Sequence, residues 1–294
     1  MEYLPFFFSK NWVGCTERGN TLSFLFAVFV DIVLIKLKRS SLSCRMKNVL
    51  INAIMYAEDL LLLSISLHDL QLMVDLCFKE FEEIGLSINL TKSTCLKIGP
   101  DHNIPDANIT INETTLEWVS ELKYLGVTFL KASTVKCNWQ TARHQYFRSL
   151  NGIFGKIGAS SSINVTLSLI NSFCIPLLVY GSECFSLNKS TSISLNLLIT
   201  LLSLKMLILL IKNIIKQCQF YCGCLPLSYV IDKRKIVFLY KMADASSLIL
   251  SMMFNNFDKS ELDKLLFKYK LNFNSACPVK SLTWSNFVVS CTES

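Results

Sequence analysis

The stretch Ile51-Asn52-Ala53-Ile54-Met55-Tyr56-Ala57-Glu58-Asp59-Leu60-Leu61-Leu62-Leu63-Ser64-Ile65-Ser66 sets two apolar runs on either side of the acidic pair Glu58 and Asp59. Strand-length apolar runs around a tight acidic turn read as a β-hairpin that carries both carboxylates at its tip. Adjacent carboxylates at the end of buried strands are costly unless something positive meets them, and a divalent cation is the commonest partner. The pattern therefore points toward metal-assisted phosphoryl transfer.

Downstream of the hairpin, Ser66 and Asp69 form an S-x-x-D helix start. Leu70, Met73, Val74, Cys77, Phe78 and Phe81 then recur at three- and four-residue spacing, and Gly85 ends the helix. Upstream, Thr16-Glu17-Arg18-Gly19-Asn20 is a polar loop that opens an apolar helix running to Lys36. Gly19 suits a close backbone approach, and Asn20 to Ser23 offer capping side chains. A basic connector, Lys36 to Lys47, joins this helix to the hairpin.

Beyond Gly85 comes Gly85-Leu86-Ser87-Ile88-Asn89-Leu90-Thr91-Lys92-Ser93, in which Lys92 is either a phosphate-facing charge or a solvated surface lysine. A two-strand unit turning at Asn112-Glu113 follows, then the string Lys123-Tyr124-Leu125-Gly126-Val127. From Trp139 the pattern is helical, with Ala142, Tyr146, Phe147, Leu150, Ile153, Phe154 and Ile157 on one stripe and Arg143, His144 and Arg148 off it. Val165 to Tyr180 reads as a second helix broken near Pro176. Leu195 to Ile211 holds a single charge, Lys205, and is a membrane-span candidate at the lower length limit; its polar flanks favour a buried helix.

The chain has 294 residues, 51% hydrophobic and 17% charged, enough for one large or two ordinary domains. Its net charge of +7 suits a polyanionic partner. The twelve cysteines lack paired spacing or histidine partners for a zinc site, and read as reduced core thiols. His68, His102 and His144 are isolated. The start Met-Glu-Tyr-Leu-Pro has no signal-peptide pattern, so the expected setting is intracellular, cytoplasmic or nuclear.

Tyr56-Ala57-Glu58-Asp59 resembles the YADD box of reverse transcriptases. The TERGN loop with its helix, GLSINLTKS, KYLGV, the later Tyr180-Gly181 string and the Cys218-Gln219-Phe220 tail follow the order found in LINE-type non-LTR retrotransposons. The resemblance implies an α+β fold, a partial right-hand polymerase palm of small antiparallel sheet and helices followed by a helical thumb. Residues 1–131 correspond to the palm, and 132–294 to the thumb-like and C-terminal region. It further implies RNA-directed DNA synthesis with two magnesium ions, an RNA template and a DNA primer. Glu58 and Asp59 would hold metal, and Lys92 would act with them. Arg18, Gly19, Tyr56 and Ala57 would touch nucleotide or template, and Tyr124, Leu125 and Gly126 would form a primer grip. Glu58 stands where the resemblance expects aspartate, and the family's first catalytic aspartate does not precede the TERGN loop. The expectation is thus a degenerate polymerase fragment, inactive alone. The alternatives are a residual nucleic-acid-binding module and a membrane-associated helical protein.

Overall fold

The computed structural model describes residues 6–9, 12–13, 20–40, 42, 44–46, 49–57, 59–105, 107–157, 162–185, 225–270, 285 and 288. The chain divides into two compact units, Met1–Asn138 and Trp139–Ser294. The fold is α+β, with helices and small sheets in the first unit and helices in the second.

The first unit is built on a five-stranded sheet. Its strands are β1 (Phe6–Ser9), β5 (Ala53–Tyr56), β6 (Asp59–Ser64), β8 (Thr94–Leu96) and β11 (Glu117–Trp118), in the order β11-β8-β1-β6-β5. Neighbours are antiparallel except β11 with β8. Between these strands in sequence lie β2 (Trp12–Val13), which pairs with β7 (Ser87–Ile88), and the β3–β4 hairpin (Cys44–Met46 with Val49–Ile51). Two helices accompany them, α1 (Asn20–Arg39) and α2 (Leu67–Glu83).

Strand β6 is apolar without alternation because both of its faces are covered. Leu60 and Leu62, with Cys95, pack on one face against Val30, Val33 and Leu37 of α1 and Leu70, Met73, Val74, Cys77 and Phe81 of α2. Leu61 and Leu63 point to the other face and join Leu96, Ile98, Leu122 and Tyr124. The predicted stripe of α2 is buried as expected save Phe78, which is half-buried at its border. The Ser66 hydroxyl accepts the Asp69 amide at 3.5 Å, and Gly85 turns the chain at φ +73°. Such a cap is worth about 1 kcal/mol.

The turn expected at Asn112-Glu113 is present. Both residues are left-handed, at φ 46° and 65°, and they join β9 (Thr110–Ile111) to β10 (Thr114–Thr115). The Gln71 amide clamps this hairpin to α2: its Nε2 donates to the Thr110 carbonyl at 2.8 Å and its Oε1 accepts the Thr110 amide at 2.9 Å. A third hairpin, β12 (Glu121–Tyr124) with β13 (Val127–Leu130), is extended by β14 (Lys136–Cys137). That last strand keeps residues 132–138 with the first unit.

In the second unit, α3 (Gln140–Ile157) buries Tyr146 and Leu150 against Ile170, Cys174, Leu178, Val179, Leu227 and Ile231. Phe147, expected on the buried stripe, is exposed and meets Tyr146 edge-on with centroids 5.6 Å apart. The helix expected from Val165 is α4 (Ile163–Leu169), a π-turn (Ile170–Cys174) and α5 (Ile175–Val179). The π-turn falls just before Pro176, whose ring cannot donate to the preceding turn. The remaining described helices are α6 (Leu227–Ala243), α7 (Leu248–Met253), a π-turn (Phe254–Asp258) and α8 (Lys259–Tyr269). Ile236, Leu239, Met242, Phe254, Leu262, Leu266 and Tyr269 form their core.

Among the described residues no single helix is long and apolar enough to cross a membrane, and the pair of helices Leu227–Ala243 and Leu248–Asn256 bends by 119°. The candidate span 195–211 lies outside the described residues.

Candidate functional site

The acidic hairpin forms where the sequence places it. Ala53, Ile54, Met55 and Tyr56 pair with Leu62, Leu61, Leu60 and Asp59, so the chain reverses tightly between Tyr56 and Asp59. Ala57 takes a left-handed φ of 49°, which costs a β-carbon-bearing residue about 1 kcal/mol. Tight two-residue hairpins require positive φ, so the turn itself imposes this conformation. Tyr56 is exposed, and Asp59 is half-buried as the first residue of β6. Glu58, Arg18 and Gly19 lie outside the described residues.

Side chains alternate along a strand, so Asp59 shares its face with Leu61 and Leu63, the face covered by the β12–β13 hairpin. Tyr124 sits on that hairpin opposite Val127, only 7% exposed, and its hydroxyl is buried without a hydrogen-bond partner. Burial pushes its ionisation upward, and the Asp59 carboxylate pushes it further in the same direction. The two hairpin tips are therefore electrically coupled. Tyr124 faces the core beneath the tip, while Leu125 (φ 47°) and Gly126 (φ 83°) make the turn itself and are exposed.

Lys92 ends a short 3-10 helix, Leu90–Lys92, and is exposed. Strands β6 and β8 both run antiparallel to the β1 strand between them, so they are parallel to each other. Asp59 opens β6 and Lys92 lies two residues before β8, so both stand at the same end of the sheet. Two strand spacings separate these rows, about 10 Å. Asp59, Tyr56, Ala57 and Tyr124 are thus gathered at one place, and Lys92 stands at its rim.

One structural residue escapes the sequence motifs. Asn52 is 3% exposed at the entry to β5, and its Nδ2 donates to the Leu37 carbonyl in the last turn of α1 at 2.7 Å. Its own carbonyl accepts the Leu63 amide at 2.8 Å. One side chain thereby fixes the acidic hairpin to the end of the preceding helix. A polar residue inside the apolar run Ile51 to Met55 is the signal that would have found it.

Magnesium takes about six oxygen ligands, and a two-ion site needs several converging carboxylates. Among the described residues no three His, Cys, Asp or Glu side chains come together. Asp59 alone of the described carboxylates stands at the hairpin, so the described residues do not supply the donor set for two magnesium ions.

Two sets of described basic residues in the second unit differ in their partners. On α6, Arg234 grips Glu183 through both carboxylate oxygens, with Nη2 to Oε1 at 3.0 Å and Nε to Oε2 at 3.4 Å. Lys235 pairs with Glu261 at 2.6 Å, and Asp232 receives both Lys268 and the Tyr269 hydroxyl at 2.5 and 2.7 Å. These charges tie α6 to the turn that follows α5 and to α8. Helix α3 differs, because it contains Arg143, Arg148 and Lys156 and no acidic residue at all. His144, Arg148, Asn151, Gly152 and Gly155 share its exposed face, and the space beside both glycines is open.

A search of curated proteins finds no match to the chain. The family described as reverse transcriptase (RNA-dependent DNA polymerase) generally works with magnesium on an RNA template and a DNA primer. Its model matches residues 12–129, a span that holds α1, the acidic hairpin, α2 and nearly all of the β12–β13 hairpin, and over that span the chain is similar to a reverse transcriptase domain.

Proposed function

We propose that the chain is a LINE-type non-LTR reverse transcriptase palm with its following helical region, retained as a binder of template and primer that does not complete nucleotidyl transfer by itself. The observation that carries this reading is the donor count at the acidic hairpin. Asp59 opens β6 there, glutamate occupies position 58, and no third ligand converges among the described residues. A carboxylate displaced by the length of a methylene is enough to cost on the order of a hundredfold in a reaction that depends on placement.

Binding asks less of the site than chemistry does. An acid-free helix with cations and open glycines along one exposed face suits the phosphate backbone, which is attracted by charge and needs close approach. The net charge of +7 acts in the same sense.

Primer extension on an RNA template with magnesium or manganese, run beside a gel shift on an RNA–DNA hybrid, tests both halves. The expected result is no extension and a binding constant that falls steeply as salt rises, by about 0.7 to 0.9 log units per log unit of salt for each phosphate contacted. Extension by the unmodified chain would overturn the claim of incomplete chemistry. Absence of binding at low salt would overturn the claim of a retained nucleic-acid partner.

A further inference from the structure

Helix α1 is apolar on two sides. Val30, Val33 and Leu37 are buried in the core with α2 and the sheet. On the opposite side Val28, Ile32 and Ile35 are 49%, 45% and 40% exposed. Their spacing of four and then three residues lays them in one stripe along the helix. Asp31 lies within that stripe, and Lys38 and Arg39 close it, all three exposed. Lys36 leans off the stripe to Glu80 and Glu83 of α2. A helix apolar on both sides is one that buries both, and a contiguous row of exposed apolar residues marks a contact where scattered ones do not.

We propose that this outer stripe of α1 docks a second copy of the chain, the two α1 helices lying antiparallel about a two-fold axis at Ile35. The order of charges selects both the occupant and the direction. A parallel pair would set Asp31 against Asp31 and the Lys38–Arg39 pair against itself. An antiparallel pair centred on Ile35 sets the residue four positions before the centre against the one four positions after it, so Asp31 of each copy meets Arg39 of the other, with Lys38 beside it. Ile35 then meets its counterpart, and Ile32 packs under the Lys38 stem. The same patch serves both partners, so the assembly closes at two. One helix face offers less than the roughly 800 Å² per partner of a standard interface, so the dimer forms reversibly and with rising concentration. This inference is independent of the nucleic-acid reading.

The test is sedimentation of the full chain across the micromolar range, together with two charge variants. The expected result is a concentration-dependent monomer–dimer equilibrium that Asp31→Arg weakens by roughly tenfold or more, because like charges then face each other. Lys38→Asp with Arg39→Asp weakens it likewise. An equimolar mixture of the two variants restores association, since each supplies the charge that the other lost. A chain that stays monomeric, an Asp31→Arg variant that associates as the native chain does, or a mixture that stays apart would each overturn the proposal. Should a charge variant fail to fold, Ile35→Ser reads the same face: loss of association is expected, and undiminished association overturns it.

Discussion

Ala57 and Leu125 occupy equivalent places in two tight hairpins, and each carries a β-carbon at a left-handed φ. The string at 123–127 reveals its turn through Gly126, but nothing in the letters shows that Leu125 shares the strained conformation. Replacing Leu125 with Asn, the residue that two-residue turns favour before glycine, is expected to raise stability by about 0.5 to 1 kcal/mol, read as a shift in the urea midpoint. Tyr124 presents the reverse case, a buried hydroxyl without a partner beside the field of Asp59. Tyr124→Phe removes a desolvated polar group that gains nothing in return, so stability should stay level or rise by about 1 kcal/mol in the same measurement. Asn52 is the residue on which the acidic hairpin hangs, since its side chain satisfies the Leu37 carbonyl. Asn52→Leu removes this tie while the Leu37 carbonyl keeps its bond from the Ser40 hydroxyl at 2.7 Å, so the expected cost is that of one hydrogen bond, about 0.5 to 1.5 kcal/mol.

Elements with a strong local signal are legible in the chain and those held by distant partners are not. Helix α2 declares its start at Ser66, its buried stripe and its end at Gly85 through the order of its residues alone. The reversal between Tyr56 and Asp59 and the turns at Asn112-Glu113 and Leu125-Gly126 are equally visible, because short apolar runs bracket them. What holds β9 and β10 in place is hidden, since Gln71 lies on the half-buried flank of a helix and reaches a backbone 39 residues away. Gln71→Ala should cost about 1 to 3 kcal/mol and speed amide exchange at Thr110 in particular, which distinguishes loss of the clamp from a general loosening. On α6 the letters Lys233-Arg234-Lys235 suggest a surface for nucleic acid. Arg234 and Lys235 are instead matched with acids 51 and 26 positions away, a pairing that spacing along the chain does not express.

For the molecule as a whole, the candidate site was legible as a hairpin and a family order, and its coupling to Tyr124 and Asn52 was not, because both depend on which face of a sheet a side chain takes. Stability against alkaline pH belongs to the same scale, because the groups that set it are spread through both units. Burial pushes the Cys95 thiol from 9.0 up to about 12 and the Cys44 thiol up to about 11, and Tyr146 and Tyr269 are likewise raised by burial. Below pH 9 these groups hold their protons in both states, and the folded chain has its full stability. Above it the unfolded chain releases protons that the folded one keeps, so stability falls as pH rises through the interval from 9 to about 12. A single group contributes at most about 1.4 kcal/mol per pH unit in that window. Urea midpoints measured from neutral to alkaline pH are expected to fall steadily there, and Cys95→Ala should flatten the early part of the decline.

Strand β6 is the shared wall of two cores, with even-numbered leucines serving the helices and odd-numbered ones serving the β12–β13 hairpin. A reading-frame-preserving loss of one codon between 60 and 63 would leave leucine facing both cores within the run, but it would shift a flanking residue by one place and turn the carboxylate at 59 or the hydroxyl at 64 to the opposite face. Most surface loops forgive such a deletion. Here the burden of such a slip falls on the residues that flank the leucines, one of which is the Asp59 carboxylate that opens the strand.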